Sequence, residues 1–186
     1  MFERMFEAQR ILRDRQAAIV ELLRKREISF ALFASNATFV WIESVDESAV
    51  RLYRNIDFII QRGDSGLVSS TLKEIDLTAE IQEDHILFLN NHAQSVRYSD
   101  RAFFASERLF KYNATIPSLG AVVVIHDVPV ISLSELVKFQ LERYKLDDKV
   151  DLRDLMDVGL VDQSWTSKLP PELAGRLQTI LDTPEG

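Results

Sequence analysis

The 186-residue sequence has no cysteine, which removes disulfides, thiolate nucleophiles and thiolate metal ligands from consideration. Glycine and proline are sparse, at six and five residues, and no low-complexity tract or convincing linker interrupts the chain. Histidine is limited to His85, His92 and His126, too scattered for a local metal triad. No stretch approaches the roughly 20 apolar residues of a membrane span, and the amino terminus is charged from residue 3 onward. The expectation is a cytoplasmic protein with no membrane partner. Basic residues are also in deficit, 22 against 29 acidic ones for a formal net charge of −7. That balance gives no support to broad nucleic-acid binding, which relies on Lys and Arg neutralising phosphates.

What is present suffices for one core. Hydrophobic residues make up 46% of a chain of ordinary domain length, and the reading is a single domain over 1–186. Within it, residues 1–26 form an amphipathic helix, 27–131 a mixed sheet with helices and 132–186 a helical tail. Phe2, Phe6, Ile11, Leu12, Ile19, Leu22 and Leu23 recur at helical spacing in the first segment, between seven basic and four acidic residues. Phe2, Met5 and Phe6 offer a contact for a homodimer or a protein partner.

The apolar run 28–34 reads as a buried strand, and Ser35 and Asn36 as caps of a helix through Trp41. Ile56, Phe58 and Ile60 alternate within a second strand over 53–60. A helix over 66–75 comes next, then strands at 78–81 and 85–89 with a turn at Asn90-Asn91, a strand at 101–105, and extended chain at 121–125 and 128–131. Ser132 and Glu135 have capping-box spacing before a helix. Further helices are expected over 151–159 and 170–181. Asp148, Asp151, Asp154 and Asp157 recur every third residue and read as solvated acids that favour a helix amino terminus.

Two segments carry a family resemblance. Leu32-Phe-Ala-Ser-Asn-Ala-Thr38, followed by Arg54-Asn-Ile-Asp57 in a strand, resembles the nucleotidyltransferase superfamily related to polymerase beta, in particular small bacterial proteins akin to abortive-infection toxins. There a strand ending in Gly-Gly or Gly-Ser enters a helix, and the next strand carries Arg-Asp-x-Asp. One bacterial group with Gly-Gly-Asn-Ala, a tryptophan and Ser-Val-Asp-Glu is similar to Ala34-Ser-Asn-Ala37, Trp41 and Ser44-Val-Asp-Glu47 here. Its tail is similar too, at Val130-Ile-Ser-Leu133, Lys145-Leu-Asp-Asp148, Asp151-Leu-Arg-Asp-Leu155, Asp157-Val-Gly-Leu160 and Leu181-Asp-Thr-Pro-Glu-Gly186. The resemblance covers residues 28–186.

It implies an α/β (α+β) fold with a mixed sheet flanked by helices, and a site that holds Mg²⁺ with a nucleoside triphosphate. Such transfer needs two or three carboxylates on adjacent strands, and glycine backbone at a helix amino terminus. This chain departs from the pattern. Ala34 and Ser35 stand at the glycine positions, Asn55 replaces the first acid, and Arg101 stands where a third ligand belongs. Gln140 occupies the place of a lysine. Asp57 is left as the catalytic and metal-ligand candidate, read more readily as a salt-bridge partner of Arg54 or Arg101. Ser35, Asn36, Arg54, Asn55 and Arg101 are the nucleotide-binding candidates.

The expectation is a nucleotidyltransferase-like protein of impaired activity, binding nucleotide with Mg²⁺ or no cofactor, and serving as a nucleotide-binding or interaction module. Two alternatives stand beside it. One is a toxin-type transferase modifying RNA or protein through Asp57 and a further acid such as Glu107 or Asp76. The other is a protein that oligomerises or binds a partner through residues 1–26.

Overall fold

The computed structural model describes residues 2–49, 53, 55–90 and 99–183. The fold is mixed α/β. Nine strands occur among these residues: β1 (Phe30–Leu32), β2 (Asp57–Ile60), β3 (Leu77–Ile81), β4 (His85–Asn90), β5 (Ser99–Phe104), β6 (Arg108–Leu109), β7 (Ala114–Thr115), β8 (Val122–Ile125) and β9 (Val128–Ile131). Seven form one sheet in the order β3-β4-β5-β2-β1-β9-β8, and β6 with β7 makes a small separate hairpin. The centre is mixed, with β2 parallel to β5, β1 parallel to β9 and β1 antiparallel to β2. Every residue of β1 and β2 is buried, as expected of strands covered on both faces, where apolar runs replace alternation.

Six α-helices accompany them: α1 (Phe2–Lys25), α2 (Ala34–Glu43), α3 (Ser65–Leu72), α4 (Leu133–Arg143), α5 (Leu146–Asp157) and α6 (Pro171–Asp182). The first helix buries Leu12, Ile19, Val20 and Leu23 in the main core, the i, i+7, i+8, i+11 stripe that one helix face supplies. The tail helices enclose a second apolar cluster from Val137, Leu141, Leu152, Leu155, Leu173, Leu177 and Ile180. Helix α2 joins the two clusters, with Phe39 and Val40 in the first and Ile42 in the second. Trp41 ties it to the sheet by donating its indole N–H to the Ile131 carbonyl at 3.0 Å.

Several boundaries differ from expectation for identifiable reasons. The second strand begins at Asp57 rather than at residue 53, because Ile56 donates its N–H to the Asp100 carboxylate instead of to a ladder carbonyl. Tyr53 is held by side-chain contacts, its hydroxyl donating to Gln16 at 2.8 Å and its ring lying edge-on to Phe39. The helix expected over 151–159 starts five residues earlier, at Leu146, where the Asp148 side chain accepts the Lys145 backbone N–H at 2.9 Å. The capping box expected at Ser132 and Glu135 does not form. Ser132 makes no side-chain cap, and Glu135 pairs with Lys138. The Asn90-Asn91 turn and His92 involve residues outside those described.

Candidate functional site

The central strands bring Asp57 and Arg101 together. Parallel register sets the first residue of β2 opposite Arg101 of β5, and side chains opposite one another in a sheet share a face. The Arg101 guanidinium donates through Nε to Oδ1 of Asp57 at 2.8 Å and through Nη2 to Oδ2 at 2.6 Å. This is a two-pronged ion pair, the strong form of arginine–carboxylate contact. The Asp57 side chain keeps 9% of its surface exposed and Arg101 keeps 35%, so the pair is open to solvent from the arginine side. Nη1 of Arg101 has no hydrogen-bond acceptor among the described residues.

The helix above this pair starts from a turn that glycine would adopt freely. Ala34 has φ +49°, in the left-handed region that costs an L-residue roughly 1–2 kcal/mol. Neither Ser35 nor Asn36 caps α2, contrary to expectation: both lie inside its first turn, and no side-chain cap bond forms. Asn36 is 1% exposed and accepts the Asp57 backbone N–H at 2.7 Å. Phe33 donates its N–H to the Asp57 carbonyl. Asp57 is therefore fixed by backbone on one side and by Arg101 on the other. Ser35 faces the tail and donates its hydroxyl to Oδ2 of Asp151 at 2.8 Å.

That contact exposes a group that the sequence pattern alone does not single out. Asp151 on α5 also accepts from Thr38 and from Gln140, and Gln140 in turn donates to Thr38 at 2.9 Å. Burial pushes the Asp151 carboxyl up to about 7; the hydrogen bonds from Ser35 and Thr38 work against the rise, and the charges of Asp148 and Asp154 add to it. Asp148, fully buried, takes a two-pronged ion pair from Nε and Nη2 of Arg143. Burial opposes the Arg143 charge, but Asp148 outweighs it, and the carboxylates of Asp57 and Asp151 raise its affinity for the proton further. Asp148, Asp151 and Asp154 are thus not the solvated acids expected at a helix start. Three-residue spacing puts them on one face, and the inward orientation of that face is signalled by Leu152 and Leu155 beside them. Lys145, another tail residue of the resemblance, lies over the Tyr112 ring at 3.5 Å, and Arg153 donates to the Thr183 carbonyl.

The remaining candidates do not converge. Among the described residues, Asn55 accepts a long 3.4 Å contact from the Ser99 N–H, and Arg54 lies outside them. Asp100, next to Arg101 in sequence, points to the opposite face, where Arg15 of α1 grips both its oxygens at 2.9 Å. Glu107 pairs with Arg62. Arg62 lies beyond the far end of β2, five residues and about 16 Å along the strand direction from Asp57. Asp76 precedes β3, three strand positions from β2, or about 14 Å across the sheet. His85 contacts Asp84.

No protein-family model matches the chain, and no curated protein matches its sequence. Solved structures do. The lincosamide antibiotic adenylyltransferase LnuA, lincomycin-bound, aligns with a TM-score of 0.52 at 12% identity, over 75% of this chain and 93% of that one. The antibiotic-resistance factor ANT(2″)-Ia in complex with adenylyl-2″-tobramycin aligns at 0.45 and 11% identity, over 89% of this chain and 94% of that one. The chain has the nucleotidyltransferase fold.

That fold implies divalent metal held by carboxylates converging from neighbouring strands. The donor set here does not fit. Both Asp57 oxygens are taken by a guanidinium, the residue two positions before it is a neutral amide, and Asp100 faces away. No group of three or more His, Asp or Glu side chains that could hold a metal ion occurs among the described residues. No helix among them is long and apolar enough to cross a membrane.

Proposed function

We propose that this nucleotidyltransferase-like protein is impaired in nucleotidyl transfer and acts, in a bacterial cytoplasm and a toxin–antitoxin-like setting, as a nucleotide-binding or interaction module. One observation carries the reading: a guanidinium engages both oxygens of the only motif carboxylate, where transfer chemistry needs that carboxylate free for metal. The shared fold supports nucleotide as the ligand, with Ser35, Asn36, Arg54, Asn55 and Arg101 as its contacts and Asp57 retained to hold Arg101. A protein partner or second copy would meet the chain through residues 1–26, where Leu12, Ile19, Val20 and Leu23 are already spent on the chain's own core. The side chains of Phe2, Met5 and Phe6 lie outside the described residues.

Incubation with Mg²⁺ or Mn²⁺ and labelled nucleoside triphosphates tests the proposal. The expected result is no label on protein or RNA above the level of an Asp57→Ala variant. Transfer that Asp57→Ala abolishes would establish an active toxin-type transferase instead.

A further inference from the structure

The mismatch between the donor set and a divalent cation has a positive counterpart. Resting on the impaired-transfer reading, we infer that Arg101 replaces the metal as the site's phosphate-binding cation, and that the site takes a phosphate monoester, such as the phosphate end of a nucleoside monophosphate, without any metal ion.

Among the described residues, Arg101 leaves donors unused. A guanidinium has five N–H donors in a fixed fork. Asp57 takes one from Nε and one from Nη2, so the Nη1 edge remains, on a side chain 35% exposed. Arg143 repeats the arrangement. Its Nε and Nη2 are bound to Asp148, its Nη1 has no acceptor among the described residues, and its charge feels Asp57. Each arginine is anchored by its own acid, and Arg101, at 35% exposure against 15% for Arg143, is the one that presents its remaining donor edge to solvent. Anchoring matters because a guanidinium held in place loses less freedom on gripping an oxyanion than a swinging one.

Charge then selects the ligand. Asp57 with Arg101 is a neutral pair, and so is Asp148 with Arg143. The Asp57–Arg101 pair carries no net charge, which is further from offsetting the roughly fourfold negative charge of a triphosphate, met in metal-dependent enzymes by divalent ions, than the smaller charge of a single phosphate group. It does offer forked N–H donors suited to one phosphate group. Metal would find no vacancy, since the only motif carboxylate on that face is already taken.

Calorimetric titration with AMP, run in excess EDTA and again in Mg²⁺, tests this on the full chain. The dissociation constant should agree within about twofold between the two buffers, and Arg101→Ala should weaken binding by about tenfold or more, the scale of losing a charge-assisted contact. Asp57→Asn gives the sharper readout. It keeps the side chain's shape and an amide oxygen that can still accept one N–H and hold the guanidinium, but removes the negative charge that offsets Arg101, so AMP should bind several-fold more tightly; at a metal-dependent site the same change would abolish binding. Thermal unfolding of each variant separates these effects from misfolding. AMP binding that requires Mg²⁺, that is unchanged by Arg101→Ala, or that is absent in both wild type and Asp57→Asn overturns the inference. Failure of the impaired-transfer reading is seen separately, as Mg²⁺-dependent label transfer.

Discussion

At Ala34 the left-handed backbone survives where the resemblance expects glycine, and the two residue types respond differently to that conformation. In an ordinary buried helical position, Ala→Gly costs about 1 kcal/mol of propensity plus the lost methyl burial, whereas a valine costs less propensity. At φ +49° the order should reverse. Ala34→Gly releases strain that offsets the methyl and the entropy, leaving stability within about 1 kcal/mol of wild type. Ala34→Val places a β-branched side chain in a region it does not tolerate and should cost about 2–3 kcal/mol. Urea unfolding with unchanged slope checks the ranking; valine more stable than glycine would contradict the left-handed turn. The same scale shows what can be read from sequence. Asp57 and Arg101 are legible as a pair because each sits on a strand of recognisable pattern. The Arg15–Asp100 pair is not, because its partners are 85 residues apart and no local periodicity connects an exposed-looking helix arginine to a strand acid. Asn36 misleads for a related reason: a cap and a buried acceptor for a neighbouring strand have the same local sequence.

At the scale of the element, α5 carries a pH dependence. Asp151 has its carboxyl raised from an ordinary value of 3.8 to about 7, chiefly by burial. Between those values the folded state holds a proton that the unfolded state has released, so stability falls as pH rises. The contribution is fully present below about pH 4 and is lost progressively up to about pH 7, and it amounts to a few kcal/mol at most. Asp151→Asn keeps an oxygen to accept from Ser35, Thr38 and Gln140 but cannot ionise. Its stability should therefore exceed that of wild type at pH 8, with the advantage shrinking towards pH 4. Denaturation midpoints across that range decide the matter, and parallel pH profiles for the two proteins would refute it. The start of α5 is hidden from the sequence: a lysine is a poor capping residue by type, and it is Asp148, held by Arg143, that accepts the Lys145 N–H where the helix begins.

For the whole molecule, the long first helix is secured to the sheet by one buried ion pair as well as by its apolar stripe. Arg15 and Asp100 have side chains 9% and 0% exposed, and Asp100 also accepts the Ile56 N–H at 2.7 Å, just before β2. Burial raises the Asp100 carboxyl despite the charge and hydrogen bonds of Arg15, so desolvation works against the pair even as the contact holds. Removing one partner leaves the other buried without compensation, which typically costs 3–5 kcal/mol, and here a backbone N–H is orphaned too. Asp100→Ala should thus cost about 3–5 kcal/mol and loosen the approach to β2. Arg15→Met with Asp100→Leu should recover much of that loss, since apolar replacement of a whole buried pair is often close to neutral; the Ile56 N–H remains unpaired in it and sets the residue of the deficit at about 1–3 kcal/mol. Thermal and urea unfolding of the three proteins gives the comparison. A double variant no more stable than Asp100→Ala would mean that the hydrogen bond to Ile56, rather than the ion pair, holds α1, β2 and β5 in the arrangement that sets Asp57 opposite Arg101.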